Sequence, residues 1–327
     1  MSSLSRHRCR ICGGTKNPIV ASERPCALWN RKPWMPEGHY TLVRCRICGN
    51  LYVDSDVTRE YLESLQAEPV PELEDTLCYE STAAMEDVRN DELQQNWEMI
   101  KKIRPPSVGD KLLDFGSAWG AFGNIASKDG VRPNGVELQP PAVRASIKLW
   151  GEGVVHSGPI ENAPFAEGEF QYVASFETLE HLYDPVEVLK QIGTLCSKDG
   201  VLAISVPSAD YFLFKYWVYR TQPFAGWMRK NVPGNMQGDR VLVHNHINTF
   251  SVNSVTLMIE KAGLKVRYIR SIGWRGGYLG KVGRLIAYLL WLFSHKRIAF
   301  APSIFLVAKK SENYANYRNQ RHHCRMP

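Results

Sequence analysis

Two cysteine pairs with the same spacing lie near the start of the 327-residue chain, in Cys9-Arg-Ile-Cys12-Gly and Cys45-Arg-Ile-Cys48-Gly. The two-residue gap lets both thiolates of a pair face one ion, and two such pairs complete a tetrahedral zinc site. Four thiolates leave no open coordination position, so we predict a structural Zn²⁺ ion bound by Cys9, Cys12, Cys45 and Cys48. Disulfide bonds are the alternative, which the lack of a signal-peptide pattern disfavours.

A glycine-rich turn follows the short apolar run at 111–115. It begins after Asp114 and includes Gly116, Ser117 and Gly120. Glycine permits positive φ and lets a ligand approach the backbone closely. Open α/β sheets bind ligands at the carboxyl ends of their strands, which is where this turn would lie. The turn alone does not distinguish a dinucleotide from another nucleotide or a phosphate.

The composition is that of a globular protein with unevenly distributed charge. Apolar residues make up 44% of the chain and charged residues 22%, and the net charge is +7. Residues 1–59 and the tail after 308 are basic, whereas 60–99 is acidic. We see no signal peptide and no run of the roughly 18 apolar residues that span a membrane, and expect a cytoplasmic protein. The basic segments could meet nucleic acid or an anionic membrane, although solvated charge is the simpler interpretation.

Strands and helices alternate from residue 111 onward. We predict strands at 111–115, 132–137, 153–156, 170–176, 201–206, 265–269 and 303–308, and helices at 85–103, 121–128, 140–150, 185–196 and 251–262. This order predicts an α/β fold with a doubly wound, mostly parallel seven-stranded sheet. Ser251 is the expected N-cap of the last helix, which Gly263 would end.

The predicted elements divide the chain into four parts. We expect a small zinc-ribbon-like module at 1–58, a linker at 59–84, an α/β domain at 85–310 and a flexible basic tail at 311–327. An aromatic-rich insert lies near 211–245 within the α/β domain.

Five motifs follow one another between about residues 108 and 210: LLDFGSAWGAFG, GVELQ, GPIENAPFAEGEFQYV, FETLEHLYDPVEVLKQI and DGVLAISVPS. In this order they resemble the class I S-adenosylmethionine-dependent methyltransferases, which have a Rossmann-like sheet. The later segment HNHINTFSVNSVTLMIEKAGLKV and the cysteine module are similar to sugar C-methyltransferases of deoxysugar pathways and their relatives in glycan clusters.

This resemblance implies that S-adenosylmethionine is the cofactor. The residues that it implies in cofactor binding are Asp114, Gly116, Ser117, Gly120, Glu137, Leu138, Ile160, Glu161 and Phe176. Glu137 would accept both ribose hydroxyls, because a carboxylate offers two oxygens to a diol. Ile160 and Glu161 fall where the family contacts adenine, and Phe176 would line the cleft. The chain departs from the family pattern at Ala118, Pro159 and Gln171, where a glycine, an acid and an aspartate are common.

Two histidines are candidates for removing a proton from the acceptor. His181 follows Glu180, and His246 lies in a segment that reads Glu-His in the sugar C-methyltransferases, where it supplies the base. Here Asn245 replaces the glutamate, so the carboxylate next to the base is lost from the sequence. Structural roles remain open, because His181 could hold its loop through hydrogen bonds and His246 could mark the start of a helix.

We therefore expect a methyltransferase acting on a sugar, a nucleotide-sugar or a related small molecule in glycan or natural-product synthesis. One alternative is O-methylation of another small or lipid-linked acceptor. Another is a zinc-ribbon RNA-binding protein with an RNA-modifying or inactive methyltransferase domain, although no face interleaves aromatic and basic residues clearly enough to favour nucleic acid. The apolar runs 211–219 and 285–293 are too short to cross a bilayer and leave peripheral membrane contact as a further alternative.

Overall fold

The computed structural model describes residues 4–23, 40–54, 60, 62, 77–220, 246–273 and 277–311. The strands are β1 Ile19–Glu23, β2 Tyr40–Arg44, β3 Leu51–Val53, β4 Lys111–Phe115, β5 Arg132–Glu137, β6 Val155–Ser157, β7 Phe170–Phe176, β8 Cys196–Pro207, β9 Asn248–Thr249, β10 Leu264–Ile272 and β11 Ser303–Lys310. The helices are α1 Leu77–Ile103, α2 Ala121–Ser127, α3 Pro140–Trp150, α4 Pro185–Leu195, α5 Ala209–Arg220, α6 Val252–Lys261 and α7 Gly277–Phe293. Two 3₁₀ turns lie at Ile160–Asn162 and Leu179–His181.

The larger sheet has seven strands in the order β10-β11-β8-β7-β4-β5-β6. Strands β4 to β8 are parallel, whereas β11 runs antiparallel to both β8 and β10. The central strand β4 is apolar on both sides: Leu112 packs in the cluster that contains Trp97 of α1, and Leu113 in the cluster that contains Leu189 of α4. Helices therefore cover both faces, which confirms the predicted α/β fold with a mostly parallel sheet.

Several element boundaries differ from the sequence predictions. Helix α1 begins at Leu77 rather than at 85, so its first two turns occupy the predicted linker. The predicted start relied on apolar spacing, which the residues at 77–84 do not show. Cys196 was predicted as the last residue of a helix, but it begins β8 because it pairs with Phe170 of β7. The start of the aromatic insert forms α5, and 221–245 lies outside the described residues.

A second sheet joins the cysteine module to the α/β domain. Its order is β1-β2-β3-β9, and the fourth strand comes from the segment just before α6. Leu51 pairs with Thr249 and Tyr52 with Asn248 across the β3–β9 junction. The module also shares one apolar core with the larger sheet, in which Tyr52 and the module's cysteines pack in the same cluster as residues of α6. The module is therefore structurally continuous with the domain that it precedes.

Within the described part of the chain, no helix is long and apolar enough to cross a membrane.

Candidate active site

The four predicted cysteine ligands meet in one cluster. The Sγ atoms of Cys9 and Cys48 lie 3.6 Å apart, and those of Cys12 and Cys45 lie 3.3 Å apart. All four Sγ atoms lie within 4.8 Å of one another. The hydrogen bond with Cys48 lowers the pKa of the Cys9 thiol to about 5, against the effect of burial. This donor set suits one tetrahedral Zn²⁺ ion with no open position.

Helix α6 contacts both cysteine pairs from outside the module. The Ser251 hydroxyl donates to the Cys48 carbonyl at 2.6 Å, and the amide of Asn253 donates to the Ile47 carbonyl at 3.3 Å. The Lys261 ammonium donates to the carbonyl of Ile11 at 2.6 Å. Because these bonds run from the start and the end of α6 to both pairs, the cluster fixes the position of this helix.

The glycine-rich loop follows β4 as predicted, and its backbone is tightly confined. Asp114 is buried at the carboxyl end of the strand. Gly116 has φ 75°, and a Cβ atom there would lie 2.3 Å from Oγ1 of Thr178. Ala118 also has a positive φ, 44°, which costs strain for a residue with a side chain. Its N–H donates to Glu137 and its carbonyl accepts from Ser146, and these two bonds hold that conformation.

Glu137 connects the end of β5 to this loop. Its Oε1 accepts from the N–H groups of Leu138 and Gln139 at 2.8 and 2.9 Å, and its Oε2 accepts from the N–H of Ala118 at 2.8 Å. A carboxylate has about four acceptor positions, so these three bonds orient the group and leave about one for a ligand hydroxyl. The predicted acceptance of both ribose hydroxyls stays a prediction, and it requires one of these backbone bonds to be shared.

The remaining predicted cofactor residues differ in environment. Ser117 is buried beside the loop, and its hydroxyl has no hydrogen-bond partner among the described residues. Ile160 is buried, whereas Glu161 is exposed on the same 3₁₀ turn. The ring of Phe176 packs edge-on against Phe122 at 4.7 Å, in the core between β7 and α2. The expectation that this side chain also lines the cofactor cleft stays a prediction.

These features fit S-adenosylmethionine. The loop after β4 brings Gly116 and the buried, unsatisfied Ser117 hydroxyl together at the carboxyl edge of the sheet. An unsatisfied buried hydroxyl is costly unless a ligand completes its hydrogen bond. Glu137 lies at the same edge and is oriented by backbone donors. The loop and β5 together therefore form the candidate cofactor site.

Glu180, His181 and His246 form a second polar cluster. The Glu180 carboxylate is fully buried, and its Oε1 lies 3.9 Å from Nε2 of His181 and 3.7 Å from Nε2 of His246. The two imidazole rings meet edge-on with centroids 4.7 Å apart. The N–H of Ile247 donates to the Glu180 carbonyl at 3.0 Å, which fixes the two segments against each other.

The structure corrects one inference about the base. Sequence reasoning treated the carboxylate beside His246 as lost at position 245, which lies outside the described residues. Glu180 supplies a carboxylate there from a distant part of the chain. The sequence shows that Glu180 is next to His181. It does not show that Glu180 contacts His246, because this contact depends on the packing of β9 against the turn at Leu179–His181.

The fold and the loop define the class of protein, that of S-adenosylmethionine-dependent methyltransferases. Residues 85–269 match the model of the family described as Methyltransferase domain, and the chain belongs to this family. The family match identifies a methyltransferase domain in the chain, and the four clustered cysteines lie close enough together to hold one metal ion.

Individual proteins resemble the chain more distantly. It is 24% identical over 164 residues to the ubiquinone biosynthesis O-methyltransferase of Aeromonas salmonicida, a match that covers 49% of this chain and 64% of that protein. The chain thus spans less than two thirds of this relative.

Two solved structures are similar in outline. Phosphoethanolamine N-methyltransferase 2 of Haemonchus contortus, in complex with S-adenosyl-L-methionine, shares 15% identity, with a TM-score of 0.42 over 67% of this chain and 52% of the other. An S-adenosylmethionine-dependent methyltransferase of Thermotoga maritima shares 16% identity, with a TM-score of 0.46 over 71% of this chain and 95% of the other.

Proposed function

We propose that the enzyme methylates a small acceptor of the sugar or nucleotide-sugar type, and that the Glu180, His181 and His246 cluster activates this acceptor. The cluster is the observation that carries the proposal. It combines one buried carboxylate with two imidazoles whose side chains keep 22% and 14% of their surface exposed. A hydroxyl or an activated carbon must lose a proton when it is methylated, and such a cluster provides groups that take part in that loss.

The cofactor supplies a methyl group on a sulfonium, while the chain supplies alignment and proton removal. The loop at Gly116 and Ser117 and the Glu137 carboxylate would hold the cofactor at the edge of the sheet. His246, with Glu180 behind it, would take the acceptor's proton, and His181 is the second candidate. Thr178 links the two sites. Its hydroxyl lies 3.5 Å from the Phe115 carbonyl at the end of β4, and the residue directly precedes the turn that carries Glu180 and His181.

An acceptor carried on a lipid is the second candidate, and an exposed apolar face favours it. Helix α7 exposes several large apolar side chains, including Leu289 at 42% and Phe293 at 80%. Exposed apolar patches of this kind mark contact sites. The Aeromonas relative is by name an O-methyltransferase of ubiquinone biosynthesis, which also supports O-methylation of an acceptor other than a sugar.

The cofactor site is tested with S-adenosylhomocysteine and calorimetry. The variant Glu137→Gln keeps the size of the side chain and loses one acceptor oxygen. We expect its Kd to rise about 10- to 100-fold, because a hydrogen bond to a charged group contributes about 1.5–3 kcal/mol. Glu152→Gln changes an exposed carboxylate and is expected to bind like the wild type. Equal binding by wild type and Glu137→Gln, at equal melting temperature, would remove Glu137 from the site.

The acceptor is tested by incubating the enzyme and labelled cofactor with nucleotide sugars, free sugars and catechol-type phenols. Mass spectrometry and NMR then locate the methyl group. Transfer to a sugar carbon or oxygen supports the leading proposal, whereas transfer to the phenols alone supports O-methylation of an acceptor other than a sugar. His246→Ala should abolish transfer and leave S-adenosylhomocysteine binding intact. Full turnover by that variant would contradict its role as a base.

A further inference from the structure

We propose that Glu180, His181 and His246 form a second metal site, distinct from the cysteine cluster, which binds one divalent transition-metal ion and presents it to an oxygen of the acceptor. The proposal deepens the proposed function and rests on it for the identity of the acceptor side. The binding of the ion is independent of that function and is measured separately.

The distances in the cluster suit an ion better than a direct contact. Oε1 of Glu180 lies 3.7 and 3.9 Å from the two Nε2 atoms, beyond ordinary hydrogen-bond length. The ligand atoms of all three residues lie within 4.8 Å of one another. Ligands bound at about 2.1 Å to a tetrahedral ion lie roughly 3.4 Å apart, so the two distances from the Glu180 carboxylate to the imidazoles exceed that spacing by only about 0.3 and 0.5 Å.

The charges of the cluster also favour a cation. Glu180 is fully buried, and a buried carboxylate needs a positive charge close to it. One divalent ion would supply that charge and would use both rings in their neutral, ligating form.

The ligand set indicates which ions fit and what remains open. Two imidazoles and one carboxylate suit Zn²⁺, Fe²⁺, Co²⁺ or Mn²⁺, and three protein ligands leave at least one coordination position. The four thiolates at the cysteine cluster leave none. Both imidazoles are partly exposed, whereas the carboxylate is buried, so an acceptor would reach a bound ion from the side of the imidazoles.

The backbone around the cluster is held from three directions. The Glu180 carbonyl accepts from the N–H of Ile247, and the Ile247 carbonyl accepts from the N–H of Val53, each at 3.0 Å. The Asn248 amide donates to the Leu182 carbonyl at 3.0 Å. Pairing of β9 with β3 thus fixes the segment that begins at His246. A ligand set from two distant parts of the chain is thereby positioned before any ion binds.

An acceptor hydroxyl at the open position would lose its proton more readily, because a bound cation stabilises the oxyanion. The proton passes to water, and the oxygen keeps the electron pair of the broken O–H bond. His246 then acts as a ligand rather than as a base. An imidazole nitrogen that binds an ion cannot also take a proton, so measuring metal binding distinguishes a ligand role of His246 from a role as base.

The test uses the full-length protein with its cysteine cluster loaded with zinc and with weakly held metal removed by a mild chelator. Co²⁺ is then titrated and followed by visible absorption, while elemental analysis counts both metals. Cobalt bound by nitrogen and oxygen shows d–d bands without the thiolate charge-transfer bands that exchange into the cysteine cluster would produce. We expect one equivalent of cobalt bound by nitrogen and oxygen, with the zinc retained.

Variants test whether the bound equivalent of cobalt is held by Glu180, His181 and His246. Glu180→Gln and His246→Ala should each weaken cobalt binding at least about 100-fold, since even residues that only orient ligands contribute about 10- to 100-fold. His295→Ala removes an exposed histidine elsewhere and should bind cobalt like the wild type. Circular dichroism verifies folding, and His181→Ala replaces any variant that fails it.

The outcomes separate this inference from the proposed function. Absence of a second equivalent in the wild type, or equal cobalt binding by the wild type and the cluster variants, overturns the metal site. If methyl transfer persists in that case, the proposed function stands with His246 as the base. A second equivalent that the variants lose supports the site, whether or not the tested acceptors are methylated.

Discussion

Gly116, in the loop after β4, packs directly against Thr178, which follows β7. It has no room for a side chain, because Thr178 occupies the space that a Cβ atom would need. Thr178 directly precedes the turn that carries Glu180 and His181. A change at Gly116 would therefore displace both the loop after β4 and the turn after β7.

We expect Gly116→Ala to lower the free energy of unfolding by about 2–5 kcal/mol. The left-handed conformation costs an alanine about 1–2 kcal/mol, and overpacking against Thr178 adds about 1–3 kcal/mol. Gly153→Ala is the matched control, because Gly153 has φ 78° and nothing within 4 Å of its Cβ position. Urea unfolding monitored by circular dichroism measures both.

Gly153→Ala should lower the free energy of unfolding only by the cost of the left-handed backbone conformation, about 1–2 kcal/mol. If Gly116→Ala loses no more stability than Gly153→Ala, the packing of Gly116 against Thr178 is not as described. Reduced S-adenosylhomocysteine binding by Gly116→Ala, with normal binding by Gly153→Ala, would show that the confined loop also shapes the cofactor site.

Local sequence patterns identified the residues of the loop and not the pairs that form the acceptor side. Asp114 is the second-last residue of β4 and Glu137 is the last residue of β5, so a pattern of a few residues places both at the edge of the sheet. The contact of Glu180 with His246 joins positions more than sixty residues apart. This contact depends on how β9 packs, and no local sequence pattern predicts that packing.

At the scale of elements, the cysteine cluster and α6 form one unit. Ser251 caps α6 by accepting from the N–H of Ser254, and the same hydroxyl donates to the carbonyl of Cys48. Gly49 leaves the space for this contact, because a Cβ there would lie 2.9 Å from the Ser251 hydroxyl. The strand β9 lies directly before this cap, so the cysteine cluster also supports the segment that carries His246.

We expect Ser251→Ala to lower the free energy of unfolding by about 1.5–3 kcal/mol. The loss of an N-cap costs about 0.5–2 kcal/mol, and a buried carbonyl left without its donor adds about 1 kcal/mol or more. Zinc should also leave the protein faster in the presence of a chelator, since Cys48 loses its outside support. Ser127→Ala removes a hydroxyl that bonds within α2 alone and provides the comparison.

Unfolding in urea and zinc release followed with a chromogenic chelator measure the two effects. Equal zinc release by Ser251→Ala and Ser127→Ala would show that α6 does not support the cysteine cluster. A loss of stability without faster release would confine the role of Ser251 to helix capping.

The sequence predicted long elements better than short ones. Strands β4, β5 and β7 were placed correctly, because β4 and β7 are buried runs that lead into turns and β5 ends in Glu137. Strand β9 has two residues, and its partner β3 lies nearly 200 positions earlier. This pairing forms only when the cysteine module packs against the α/β domain. The sequence therefore did not predict that the two share a sheet.

At the scale of the molecule, α7 presents an apolar face beside basic residues. Only Ala287 and Trp291 of the described end of the helix are buried, whereas Leu285, Tyr288, Leu289, Leu292 and Phe293 are exposed. Lys296 and Arg297 follow and are exposed as well. Arg297 lines one cavity with Arg44 and Arg46 of the cysteine module. An apolar helix face next to cations is typical of a surface that lies on an anionic membrane.

We expect the enzyme to co-sediment with vesicles that contain phosphatidylglycerol, and less so with vesicles of phosphatidylcholine alone. Leu289→Glu combined with Phe293→Glu should weaken binding at least tenfold, because each buried side chain contributes about 1.5–3 kcal/mol. Leu149→Glu changes an apolar residue that is 54% exposed on α3 and should bind normally. Binding should also fall as salt rises, since the attraction of exposed cations is screened within about 10 Å at 0.1 M ionic strength. Absence of wild-type binding, or equal loss in both variants, would exclude α7 as a membrane-binding face and with it the structural support for a lipid-linked acceptor.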